Sequence, residues 1–177
     1  MNRVIVSLGS NIEKEKHIPL ALAFLRQTCR VTAVSPIYET VPVGLRDQPN
    51  FFNLAVQIET DLDALSFKEQ VLTALESHLK RMRQADPNAP RTIDADITLF
   101  NEAVFTYGHE NGRQRHIPDP DLLKFAHVAV PVADLLPNLP HPETGEPLSQ
   151  LATRLRQTAL DENGRPALWQ TNPTLCK

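Results

Sequence analysis

The run Arg91-Thr92-Ile93-Asp94-Ala95-Asp96-Ile97 sets two carboxylates two positions apart among alternating apolar residues. If the run is a strand, Asp94 and Asp96 share one face while Ile93, Ala95 and Ile97 enter the core from the other. Two carboxylates that close repel each other unless a cation lies between them. A hard, oxygen-seeking ion such as Mg²⁺ resolves the repulsion, and ions on such a pair can grip a polyphosphate. On a solvated strand face the same pair would do nothing. The preceding segment weighs toward chemistry: Lys80, Arg81, Arg83 and Arg91 meet only Asp86 as a counter-charge between residues 80 and 91. These cations begin at the end of an expected helix, where the helix dipole favours them, and run through the loop Gln84 to Pro90 into the acid pair. Guanidinium forks match phosphate oxygens, so loop and pair together describe a metal–nucleotide site. The plainer alternative is a helix end decorated with solvated Arg and Lys.

A second constellation is Thr40-Val41-Pro42-Val43-Gly44 followed by Gln48-Pro49-Asn50-Phe51-Phe52-Asn53. Gly44 to Pro49 reads as a loop, Phe51 opens a strand, and Asn53 faces opposite to Phe52 and Leu54. A side-chain amide offers donors and an acceptor together, which suits a flat heterocycle with mixed edges. On spacing alone, Phe51 and Phe52 are core and Asn53 a polar edge residue. The six glycines form neither G-x-x-x-x-G-K-[ST] nor G-x-G-x-x-G, so P-loop and Rossmann phosphate cradles are excluded. His17, His78, His109 and His141 have no ligand spacing and are expected at the surface. Cys29 lacks a partner base and reads as a small apolar residue, and with Cys176 it forms no disulfide framework. Trp169 is expected to pack down a polar tail.

The elements that must position these residues follow from periodicity. Arg3 to Leu8 is a β-rich run ended by the turn triplet Gly9-Ser10-Asn11. Ile18, Leu22 and Leu25 recur at helical spacing, with Pro19 tolerable in a first turn. Thr32 to Tyr38 reads as one strand with an edge or bulge at Pro36, and Phe52 to Ile58 alternates as another. Ser66-Phe67-Lys68-Glu69 matches a capping box, and Val71, Leu72, Leu75, Leu79 and Met82 supply an apolar stripe. Ile93 to Leu99 is the fourth strand, and a late helix spans about Leu148 to Leu155. The order βαββαβ predicts an α+β sandwich, mainly antiparallel, with helices on one face. Seven of the fifteen prolines lie between Pro118 and Pro147, so that stretch is expected to be loops and short helices. With 177 residues the chain is expected to form a single domain, its core at about 3–105 and a loop-rich part at 106–177. A net charge of −3 offers no global basic field for nucleic acid, and the longest apolar run, Leu20 to Leu25, is too short for a bilayer. A cytoplasmic protein is expected, without nucleic-acid or membrane partners.

Four segments in order resemble one family, the 6-hydroxymethyl-7,8-dihydropterin pyrophosphokinases of folate biosynthesis. They are Val6-Ser7-Leu8-Gly9-Ser10-Asn11, Tyr38-Glu39-Thr40-Val41-Pro42-Val43-Gly44, Gln48-Pro49-Asn50-Phe51-Phe52-Asn53 and Pro90-Arg91-Thr92-Ile93-Asp94-Ala95-Asp96-Ile97-Thr98-Leu99-Phe100. The resemblance implies a ferredoxin-like core and transfer of pyrophosphate from ATP to the hydroxymethyl group of a reduced pterin, releasing AMP. By the same resemblance, Asp94 and Asp96 hold two Mg²⁺ ions and act in catalysis with Arg81 and Arg83. Glu76, Arg81, Arg83, Arg91 and Ile97 bind ATP. Gly9, Asn11, Thr40, Pro42, Val43, Phe51, Asn53 and His127 bind the pterin. The implied partners are these small molecules alone, with the chain a monomer or weak homodimer. Departures from the pattern stand at Asn88 (usually Trp), Asp119 (His), Phe125 (Arg) and His127 (a stacking Phe). The extra stretch Tyr107 to Arg115 adds Arg113, Arg115 and His116, which either replace the missing cations or form a solvated loop, the loop being the expectation. The alternative is a non-catalytic or substrate-shifted pterin- or nucleotide-binding paralogue.

Overall fold

The structure, a computed structural model, describes the chain except at residues 46, 83, 84, 87, 110, 111 and 173–177. The expectations placed on Arg83 and Cys176 therefore lie outside the described residues. Strand β1 (Asn2–Ser10) leads into helix α1 (Lys14–Thr28), then β2 (Arg30–Val34), β3 (Ile37–Thr40) and β4 (Phe51–Thr60). A helical segment follows in three pieces: α2 (Ala64–Phe67), a π-helical turn (Lys68–Leu72) and α3 (Thr73–His78). Beyond β5 (Asp94–Phe100) come the hairpin β6 (Phe105–Tyr107) and β7 (Arg115–Ile117), a 3₁₀ turn (Pro120–Leu123), α4 (Ala126–Leu135), α5 (Leu148–Thr158) and β8 (Leu168–Thr171). The sheet order is β5-β1-β4-β3-β8, with β2 also on β4, and the pairs are antiparallel. Without β8 this is the strand order of a ferredoxin-like core, with the central β1 bonded to both β4 and β5.

The period-2 alternation of β1 divides the core in two. Val4, Val6 and Leu8 pack with Ile18, Leu22 and Leu25 of α1 and with Phe67, Leu72 and Leu75 of the helical segment. Ile5, on the other face, packs with Ala55 and Leu99 against Ala129, Val132, Leu151 and Leu155 of α4 and α5. The two helices of the βαββαβ core do lie on one face. The C-terminal part, expected as loops and short helices, supplies a second helical layer on the face left bare.

Other expectations shift locally. The run Thr32 to Tyr38 is two strands, because Pro36 lacks an N–H and breaks the ladder after Ser35. The helical segment is capped by Asp63, whose carboxylate accepts from Ser66 N at 2.8 Å, rather than by the expected box at Ser66. It ends at His78, so Met82 lies off the apolar stripe and is exposed. Pro19 sits deeper in α1 than a first turn. His17 and His141 are buried, with the His17 ring nitrogen Nδ1 2.7 Å from the Ile12 carbonyl. Trp169 stands on the edge strand β8 beside the buried Leu168, with its own ring partly exposed. Cys29 is half-buried, and burial raises its thiol pKa, against nucleophilic use.

Candidate active site

A cleft of about 530 Å³ lies between one end of β1, β4 and β5, the segment leading into β5 and the start of α4. Gly9 lies at its floor, opposite Asn53 of β4 on one side and Asp94 of β5 on the other. A Cβ on Gly9 would come within 3.1 Å of Asn53 Oδ1 and 3.9 Å of Asp94 Cβ. The missing side chain lets the two expected half-sites, carboxylate and amide, flank one strand with nothing between them. Ser7 pairs with Asp96 one step along, and its hydroxyl meets that of Thr98 at 2.6 Å. As the alternation requires, Ile93, Ala95 and Ile97 are buried in the opposite face.

Each carboxylate of the pair is held by cations. Asp94 receives Arg81 on Oδ1 and Arg91 on Oδ2, the latter at 2.5 Å. Asp96 receives both Lys68 and Arg115 on Oδ1, each at 2.9 Å. Burial opposes ionisation of Asp96, but the charge and hydrogen bond of Lys68, then Arg115 and Arg81, outweigh it and hold the carboxyl below its usual range. Behind the pair, Glu76 is buried 3.5 Å from Arg81 Nη1 and 3.8 Å from Lys68 Nζ. Of the two alternatives for the extra stretch, the expected solvated loop does not hold for Arg113 and Arg115. Arg113 and Arg115 line the cleft, because the β6–β7 hairpin folds Arg115 back onto Asp96. His116 instead meets Glu143 at 2.8 Å.

The other half of the cleft is aromatic and amide-lined. The buried Asn53 amide donates to Thr40 Oγ1 at 2.7 Å across β4 and β3. Phe51, Thr40 and Val43 line the same wall, Val43 mostly exposed at the rim. His127 and Phe125, at the start of α4, line the cleft with rings stacked 5.2 Å apart. Burial lowers the His127 pKa to about 4, only partly opposed by the charge of Asp94, so the ring is neutral at pH 7 and offers an aromatic face. Asn88 fills the angle against Gly44, whose φ of +82° and tight contact with the Asn88 amide leave no room for a side chain. Gln48 Nε2 bonds the Asn88 carbonyl at 2.8 Å, tying the two loops together.

Three expected residues do not reach the cleft wall. Asn11 is buried as a brace: its amide donates to Gln48 Oε1 at 2.8 Å and Pro49 O at 3.1 Å, and Oδ1 accepts from Arg91 N at 2.8 Å. Pro42 is buried behind the wall. Ile97 is a core residue that borders a smaller adjoining cavity of about 340 Å³, shared with Asp96, Arg113, Arg115 and Asp119. The sequence pattern places Lys68 in a capping box and does not assign it to the site. A signal existed, since Lys68 falls at helical spacing with the apolar Leu72, Leu75 and Leu79, where a charge is out of place.

The donor set bears on the expected ion. Two carboxylates on one face, open to a cleft, fit a Mg²⁺ that takes its remaining ligands from phosphate and water. Among the described residues no group of three or more His, Cys, Asp or Glu forms an all-protein metal cage.

Residues 5–137 match the 7,8-dihydro-6-hydroxymethylpterin-pyrophosphokinase (HPPK) family. The chain belongs to this family. It is similar to the 2-amino-4-hydroxy-6-hydroxymethyldihydropteridine pyrophosphokinase of Bacillus subtilis (strain 168), with 35% identity over 91% of this chain and 95% of that protein. The Pseudomonas aeruginosa protein of the same description is 37% identical over 81% of this chain and 86% of its own length. Among solved structures, wild-type Plasmodium falciparum HPPK-DHPS aligns with a TM-score of 0.74 over 96% of this chain at 12% identity, a likeness of fold. This chain spans 48% of that longer one. No described helix is long and apolar enough to cross a membrane.

Proposed function

We propose that this member of the pyrophosphokinase family transfers pyrophosphate from ATP to the hydroxymethyl group of 6-hydroxymethyl-7,8-dihydropterin, releasing AMP. The observation that carries this reading is Gly9, which lets a paired-carboxylate face and an amide-lined aromatic pocket adjoin across one strand. Asn53, oriented by Thr40, reads the donor–acceptor edge of the pterin, and Phe51 with the neutral His127 offers aromatic faces for stacking. Arg81, Arg91, Arg113 and Arg115 hold the triphosphate; Arg81 and Arg91 turn from Asp94 to the incoming phosphate oxygens. Asp94 and Asp96 hold Mg²⁺, for which two ions are proposed. When bound, the metal neutralises phosphate charge and acidifies the attacking hydroxyl. The chain's own part is otherwise positioning, since phosphoryl chemistry needs an in-line hydroxyl and balanced charge more than a strong base. We take residues 1–177 as one functional unit, because the walls of the cleft come from both the early strands and α4, and we propose the cytoplasm as its setting.

The test is to incubate protein with Mg-ATP and the hydroxymethyl pterin and to resolve the nucleotide products. AMP in step with pyrophosphorylated pterin is expected. ADP would contradict pyrophosphoryl transfer, and pterin binding without nucleotide turnover would favour a binding paralogue, the reading to which Asp119 and Phe125 point.

A further inference from the structure

Lys68 opens the π-helical turn, a feature frequent at functional sites. It is 6% exposed and does not line the cleft. From beneath β5 its Nζ donates to the Ala95 carbonyl and to Asp96 Oδ1, and it lies 3.8 Å from Glu76 Oε1. A buried ammonium is unfavourable unless fully paired, and this one is paired with the acid group that faces the nucleotide side of the cleft.

Four cations (Lys68, Arg81, Arg91, Arg115) thus meet three carboxylates (Glu76, Asp94, Asp96). An acid pair neutralised in this way has little negative potential with which to draw a free divalent ion from solution. An ion that arrives on a polyphosphate is different: it brings its own oxygens, and the phosphates attract the arginines away from the acids. Arg81, Arg91 and Arg115 line the cleft and can turn to such a ligand. Lys68 is tied to a main-chain carbonyl behind the strand, and its charge stays with Asp96 whatever binds.

We propose that Lys68 is a positioning residue that keeps the Asp94–Asp96 pair indifferent to free divalent cations, so that the ion is taken only together with the polyphosphate. This rests on reading the pair as the ion site. Mn²⁺ is titrated into the full chain and followed by electron paramagnetic resonance, with and without a non-hydrolysable ATP analogue. Wild type should bind Mn²⁺ weakly alone and tightly with the analogue. Lys68→Met should bind Mn²⁺ alone at least ~10-fold more tightly than wild type, because one unit of like charge leaves a partly buried site. Lys68→Gln, which retains a donor for Ala95 O, should do the same if Lys68→Met fails to fold, as thermal unfolding will show. Lys68→Arg should keep the wild-type indifference. Affinity for Mn²⁺ alone that is unchanged or weakened in both uncharged variants overturns the proposal. If wild type takes up no Mn²⁺ even with the analogue, the reading of the acid pair itself fails and the proposal goes with it.

Discussion

Asp119 offers a measurable consequence of how the cleft is built. Its carboxylate accepts from the Asp121 amide at 2.9 Å, capping the 3₁₀ turn, while its own N–H is tied to Thr98 O at 2.9 Å. Burial raises its pKa from 3.8 to about 6; the nearby charges of Asp121 and Asp96 add to this, and the bond from the Asp121 amide and the charge of Arg115 offset only part. A pKa raised from 3.8 to about 6, at ~1.4 kcal/mol for each tenfold in proton affinity, corresponds to about 3 kcal/mol of destabilisation once the group is ionised. Residual solvent at this half-buried side chain reduces that to about 1–2 kcal/mol. Asp119→Asn keeps the capping oxygen and removes the charge. An acid whose folded pKa is raised destabilises the fold above that pKa, and the penalty fades as pH falls from the folded value toward the unfolded one. The variant should therefore be more stable than wild type at pH 8 by roughly 3–6 °C in Tm. The advantage should shrink through pH 6 and be nearly gone by pH 4. Thermal unfolding across this range measures it. Equal stability at pH 8, or a gain that does not vary with pH, would refute the reasoning.

Gly9→Ala should lower affinity for both substrates, because its Cβ presses on Asn53 Oδ1 and approaches Asp94; overpacking of about 1–3 kcal/mol is expected, read by calorimetric titration. Asn53→Ala should weaken pterin binding roughly tenfold and leave ATP-analogue binding within twofold, since its amide is held by the Thr40 hydroxyl in the aromatic half of the cleft, away from the acid pair. Equal losses for both ligands would remove Asn53 from the pterin edge. Asp94→Ala and Asp96→Ala should each lower kcat by roughly 10³-fold or more in the AMP-release assay while remaining folded by circular dichroism, as loss of several kcal/mol of charge stabilisation requires. Near-normal rates would exclude them from the mechanism.

What the sequence determined by itself was local and periodic. The alternation at residues 93–97 already put Asp94 and Asp96 on one face, because a pleated strand leaves its side chains no other choice. The order of apolar runs specified the βαββαβ core, and the four motifs marked both halves of the cleft. What only the tertiary structure decided were relations between distant segments. α4 and α5 cover the face that carries the acids, and α4 brings His127 and Phe125 to the cleft wall. The β6–β7 hairpin returns Arg115 to Asp96, and Lys68 reaches the same oxygen from behind. Asn11, expected at the wall, serves instead as a brace between loops. Periodicity records which side of its own element a residue faces, whereas the partner it meets depends on how separate elements pack, and neither spacing nor composition carries that information.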